Sequence, residues 1–141
     1  MLLHLVATLL PALFPCNPTN KFLFGIGYKN TPNCCFCNIQ NETIEHLFHE
    51  CPHVINLWES LKLHIQNHAD LILNLCMENV LFGIRNDHSA KSVNYIIILS
   101  KYYIYLCRCN ETQLNLQLLY IKQISDKKIC GFSSAGKKLK N

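Results

Sequence analysis

Four cysteines and three histidines crowd into about twenty residues of this chain: Cys34, Cys35, Cys37 and Cys51 beside His46, His49 and His53. The spacing that makes chemical sense of them is Cys34-x2-Cys37-x8-His46-x4-Cys51. Zn2+ takes four soft or borderline ligands at tetrahedral corners, and two cysteines separated by two residues supply two corners from one tight turn. His46 and Cys51 would supply the other two. Five residues apart, they stand about 140° out of phase on an ideal helix, so they share a face only if the helix ends between them. Pro52 provides that ending, because a proline forces the residue before it out of helical geometry. Cys35 is an alternative to Cys34, although Cys35-x-Cys37 leaves a single residue for the turn. His49 and His53 are alternatives to His46. The competing reading packs these cysteines as small apolar side chains without metal.

A closed four-ligand sphere has no position for an activated water, so the expected role of zinc is structural, and no catalytic residue is expected. Glu42, Glu45 and Glu50 are read as first-turn helix charges rather than general bases. Ligation would also consume the thiols that a Cys-His nucleophile pair needs. There is no phosphate-cradling glycine loop. The His46-x4-Cys51 half-pattern matches retroviral zinc knuckles, whose apolar and aromatic residues stack on single-stranded bases. Phe36, between the ligands, is the candidate platform for such stacking. The alternative packs it against Trp58 or Phe48.

The elements that must position this cluster read as mainly α: a small zinc knuckle (the Cys-x2-Cys turn plus a helix) followed by three or four packed helices. Asn30-Thr-Pro-Asn33 makes a turn that delivers the chain into Cys34. Phe22 to Ile26 reads as a short strand or a helix end, broken by Gly25 and Gly27. Asn41 is the expected N-cap of the following helix. Ile44, Leu47, Phe48, Cys51, Ile55, Trp58, Leu61 and Ile65 recur at three- and four-residue steps, interrupted at Pro52, where a second helix should run to about Asn67. A shorter helix is expected over Asp70 to Asn79, then an apolar Val80-Leu-Phe-Gly83 that turns at the glycine. Ser89 to Cys109 reads as the central buried helix, with its stripe through Val93, Ile96, Ile97, Ser100, Ile104 and Cys107. Leu114, Leu118, Ile121 and Ile124 suggest a last helix before Gly131.

The chain has 141 residues, half of them hydrophobic and 16% charged, enough apolar content for one small core. Its nine cysteines, clustered at one site and otherwise scattered among apolar residues, fit a reducing compartment better than a disulfide scaffold. The expected location is intracellular, nucleus or cytoplasm. Met1 to Phe14 is almost wholly apolar, but it lacks a basic start and a small-x-small cleavage site, which disfavours secretion. Two Asn-x-Thr sequons, at Asn41 and Asn110, matter only if the chain is secreted. No segment has the ~20 apolar residues of a membrane span. The net charge of +4 is mild and concentrated in the tail, where Lys127, Lys128, Lys137, Lys138 and Lys140 sit among Gly and Ser. That tail reads as a solvated end, with phosphate contact through Lys137 and Lys138 as the functional alternative.

The stretch Asn33-Cys-Cys-Phe-Cys-Asn, Glu42-Thr-Ile-Glu-His-Leu-Phe-His-Glu-Cys-Pro-His53 and Leu57-Trp58 resembles the zinc-binding module that follows the reverse transcriptase in LINE-type retrotransposon polyproteins. Looser similarity covers Pro18 to Phe24, Asn79 to Gly83 and Ile96 to Arg108, about residues 15 to 125 in all. The resemblance implies a carboxy-terminal fragment of a larger protein whose endonuclease and polymerase domains are absent here. Four segments follow from it: an apolar leader or truncated segment with a linker (1–20), the zinc-binding module (21–68), a helical extension (69–125) and a basic tail (126–141). RNA or single-stranded DNA is the implied partner. A structural remnant or protein-interaction module, self-associating through an exposed apolar helix, is the competing reading. Cys35 adds a thiol to the family's turn, and basic residues are sparse around the knuckle.

Overall fold

The computed structural model describes residues 18–69, 74–84 and 90–115. The apolar leader, Asp70 to Leu73, Ser89, most of the expected last helix and the basic tail with Lys137 and Lys138 lie outside them. The fold is mainly helical, with an isolated antiparallel bridge, Asn33 to Asn41, among the described residues. In chain order the elements are α1 (Asn20–Gly25), a π-helical turn π1 (His46–Glu50), α2 (Pro52–Ala69), α3 (Met77–Phe82) and α4 (Ala90–Cys109). No helix among the described residues is long and apolar enough to cross a membrane.

The Phe22 segment is helical: α1 is capped by the Thr19 side chain, which accepts from the Phe22 N–H, and it unwinds at Gly27, whose φ of 76° only glycine adopts freely. The cap expected at Asn41 falls two residues later. Asn41 is held in the bridge to Asn33, and Thr43 Oγ1 instead accepts from the His46 N–H at 3.0 Å. Helical backbone therefore begins at Ile44 and widens into π1. Cys51 then leaves the helix with ψ 130°, the extended geometry a following proline imposes, and α2 opens on Pro52 itself.

The apolar series continues across that break. Leu47 and Phe48 are buried before it, and Val54, Leu57, Trp58, Leu61 and Ile65 are buried after it, while Ile44 and Ile55 are exposed. From Cys51 the buried series runs on through Val54, Trp58, Leu61 and Ile65 at three- and four-residue steps, with a three-residue step to Val54 where the expected series takes four to Ile55.

The shorter helix lies later than the sequence pattern placed it, because residues 74–76 are not helical and the turn starts at Met77. It ends at Gly83 (φ 80°), where a Cβ would meet Asn94 Oδ1 at 3.0 Å. Asn94 fastens this corner to α4, accepting from the Ile84 N–H at 2.7 Å and donating to the Ile84 carbonyl at 2.9 Å. The expected α4 stripe is the observed one: Val93, Ile96, Ile97, Ser100, Ile104 and Cys107 are all buried. Ser100 is tolerated there because its hydroxyl donates to the Ile96 carbonyl at 2.8 Å.

The elements meet at π1, on which α2, α3 and α4 all pack. Trp58 Nε1 donates to the Phe48 carbonyl at 2.8 Å, and Lys101 reaches over the Phe48 ring to the Leu81 carbonyl at 3.1 Å. Burial pulls the Lys101 ammonium below the ordinary lysine value.

Candidate metal centre

Two short elements present the donors. The knuckle turn is closed by Cys34 N–H to the Gln40 carbonyl at 2.7 Å, Asn38 N–H to the Cys34 carbonyl at 2.9 Å and Asn33 Nδ2 to the Asn38 carbonyl at 3.0 Å. Asn38 sits at φ 55°, a left-handed conformation that asparagine tolerates better than most residues. Opposite it, π1 carries His46, and Cys51 follows immediately.

The Cys51 N–H donates to the His46 carbonyl at 2.9 Å, an i→i+5 bond. This turn is how the two residues come to share a face. A π-helical turn holds one residue more than an α-turn, so residue i+5 returns beneath residue i. The Pro52 spacing predicts a helix end between them. The helix does end at Cys51, but the widened turn supplies the alignment.

Cys34, Cys37, His46 and Cys51 thus converge, with one donor atom from each lying within 4.8 Å of all the others. Cys34 Sγ and Cys51 Sγ are 3.9 Å apart, and Cys37 Sγ and His46 Nε2 are 3.4 Å apart. A tetrahedral zinc with Zn–S near 2.3 Å and Zn–N near 2.0–2.1 Å requires S···S of about 3.8 Å and S···N of about 3.5 Å. The donors present fit that ion. Cys34, His46 and Cys51 are buried and Cys37 partly so.

The Cys34 thiol is pushed far below the ordinary thiol range, first by a bond from the Cys35 thiol, then by one from Cys51, with the Cys37 and Phe36 N–H groups adding to it. The Phe36 N–H lies 3.4 Å from that sulfur. Cys35 and Cys51 are pushed up, both chiefly by their bonds to Cys34 and then by burial. Zn2+ bound by these residues would take the place of the thiol protons.

The alternative ligands sit elsewhere. His49 Nε2 pairs with the Leu75 carbonyl at 3.1 Å, tying π1 to the segment before α3, and His53 is exposed on the first turn of α2. Cys35 groups with Cys34 and Glu42 rather than with His46. None of the seven described cysteines is in a disulfide. Phe36 is 8% exposed and belongs to the core cluster with Phe48 and Trp58.

Glu42, expected in the first helical turn, precedes the helix. It is fully buried at the centre of a polar clamp. Its carboxylate accepts from the Asn20 N–H at 2.9 Å, Asn20 Nδ2 at 3.3 Å, the Cys35 N–H at 3.2 Å and Arg108 Nε at 2.8 Å. A second Arg108 nitrogen lies 2.7 Å from the same carboxylate and also donates to the Pro18 carbonyl at 3.1 Å. Burial opposes the charge on Arg108, but the bond and charge of Glu42 outweigh it and hold the guanidinium above its ordinary value. The available signal was an acidic residue two positions before the helix and a lone arginine at the end of an apolar one.

Residues 6–58 match the family described as zinc-binding in reverse transcriptase. The match includes all four donors and ends on Trp58. No curated protein and no solved structure matches the chain. The family match and the converged donors together support a reverse transcriptase zinc-binding domain over this segment, with Zn2+ as its cofactor.

Proposed function

We propose that Cys34, Cys37, His46 and Cys51 ligate one Zn2+ in a non-catalytic module of a LINE-type retrotransposon reverse transcriptase, and that the module binds RNA or single-stranded DNA inside the cell. The donor separations, which match a closed tetrahedral sphere, carry the zinc reading. With all four positions filled by protein, the ion holds the knuckle turn against π1 and offers no site for hydrolysis. The nucleic-acid reading is supported by the family match and by the lysines of the tail, Lys137 and Lys138 among them. Zinc-loaded protein should carry one zinc per chain by elemental analysis. It should also bind a single-stranded oligonucleotide with an affinity that falls as salt rises. Absence of binding at low salt would remove the nucleic-acid half of the reading.

A protein-interaction role is favoured by a different observation. Phe22, Ile26, Leu63 and Phe82 are exposed, Phe82 at 84%. Self-association through such surface would appear as a concentration-dependent mass in sedimentation equilibrium.

A further inference from the structure

From Met1 to Asn41 the formally charged side chains are Lys21 and Lys29 alone, and the first acid of the chain, Glu42, is buried against Arg108. Both lysines stand on one projecting segment with four large apolar side chains. From Lys21 to Thr31 every residue is exposed except Leu23, which is half-buried. Phe22, Phe24, Ile26 and Tyr28 are all exposed, Tyr28 at 78%. Burial within α1 is confined to Asn20.

The projection is held in shape although its side chains face water. After Ile26 the chain turns back on α1, and the Leu23 carbonyl accepts from the Tyr28 N–H at 2.8 Å and from the Lys29 N–H at 3.3 Å. At the base, the Asn20 N–H donates to Glu42 at 2.9 Å and Asn20 Nδ2 donates to the Asn33 carbonyl at 2.9 Å. Apolar side chains mounted on an ordered tip lose little freedom when a partner covers them. Such surface, contiguous and exposed, marks an interaction site.

Shape and charge together choose the partner. Two residues apart on a helix, Phe22 and Phe24 point about 200° apart, so apolar surface surrounds the tip instead of forming one stripe. A flat protein face covers one side of such a tip, whereas acyl chains are fluid and close around it. Six helical residues span about 9 Å, which matches the depth of the headgroup and acyl boundary of a single leaflet. Lys21 and Lys29, with no acid beside them in sequence, complement anionic headgroups and would repel the same tip of a second copy. Tyr28, a ring with a polar end next to Lys29, suits the headgroup level.

We propose that α1 and the turn through Lys29 insert into one leaflet of an anionic phospholipid bilayer, with Phe22, Phe24 and Ile26 among the acyl chains and Lys21 and Lys29 at the lipid phosphates. This contact is separate from the nucleic-acid reading and fails or stands without it.

The test co-sediments the full zinc-loaded chain with vesicles of phosphatidylcholine, alone or with about 30 mol% phosphatidylserine. The anionic vesicles should bind at least about tenfold more tightly, the scale set by two lysines at a charged surface. Phe22→Ser combined with Ile26→Ser should weaken binding about tenfold or more, with zinc stoichiometry unchanged. Lys29→Glu should weaken it on the anionic vesicles alone. Lys91→Glu should change it less than about twofold, because Lys91 lies at the far end of α4, roughly 26 Å along the helix from Arg108. In Tyr28→Trp the new indole should shift to the blue on anionic vesicles and be quenched by brominated acyl chains. Trp58, buried and bonded to the Phe48 carbonyl, gives the unresponsive baseline in the parent chain. Binding that survives the Phe22 and Ile26 substitutions, or a parent chain that binds neither vesicle, would overturn the proposal. If those substitutions abolished self-association or oligonucleotide binding in a chain that ignores vesicles, the tip would belong to a second copy or to a nucleic acid, and the proposal would fall.

Discussion

Cys34 lies 3.9 Å from the Cys51 sulfur, while its neighbour Cys35 sends its N–H to Glu42 at 3.2 Å. Cys37→Ser should therefore abolish zinc by elemental analysis and reduce the helical circular-dichroism signal, whereas Cys35→Ser should retain one zinc per chain. Loss of zinc from both would place Cys35 in the ligand set. The convergence of the four donors was legible because all of them fall in one short stretch, where turn and helix geometry restrict the options. The partners of Glu42 were not. Asn20 lies 22 residues before it and Arg108 lies 66 residues after it, and no local pattern announces a contact at that range. Phe36, left between core and stacking, is 8% exposed and lies in the core cluster with Phe48 and Trp58.

Among the elements, π1 and the Pro52 break act as one device, the widened turn bringing Cys51 under His46 and the proline holding Cys51 extended. Pro52→Ala would allow ordinary helix to run through Cys51, turning its sulfur away. Zinc affinity in a chelator competition should fall about tenfold or more, the scale on which misoriented ligands lose metal. An unchanged affinity would show that the turn holds without the proline. Trp58→Phe keeps most of the ring's packing but leaves the Phe48 carbonyl buried without its indole donor. Urea denaturation should show a loss of about 1–3 kcal/mol. Periodicity alone identified the inner face of α4 correctly, since no break interrupts it. On α2 it found Trp58, Leu61 and Ile65 and missed only at Ile55, where Val54 is buried instead, and π geometry has no signature in apolar spacing.

At the scale of the whole molecule, Glu42 and Arg108 join the first helix, the knuckle and the end of the last described helix around one charge pair. Arg108→Met leaves a fully buried carboxylate without its cation and should cost about 3–5 kcal/mol in denaturant unfolding. Adding Glu42→Gln to it should recover a large part of that loss, and a double variant no more stable than the single one would argue against the pairing. The knuckle's donors and the clamp that steadies them are made at different times. At about 5–20 residues per second, Arg108 leaves the ribosome roughly 3–12 seconds after Cys51. A nascent chain can thus acquire its metal while Glu42 still lacks its cation. A chain that took up zinc in that interval would be metallated but unlatched, and translation would set the order of its two locking events.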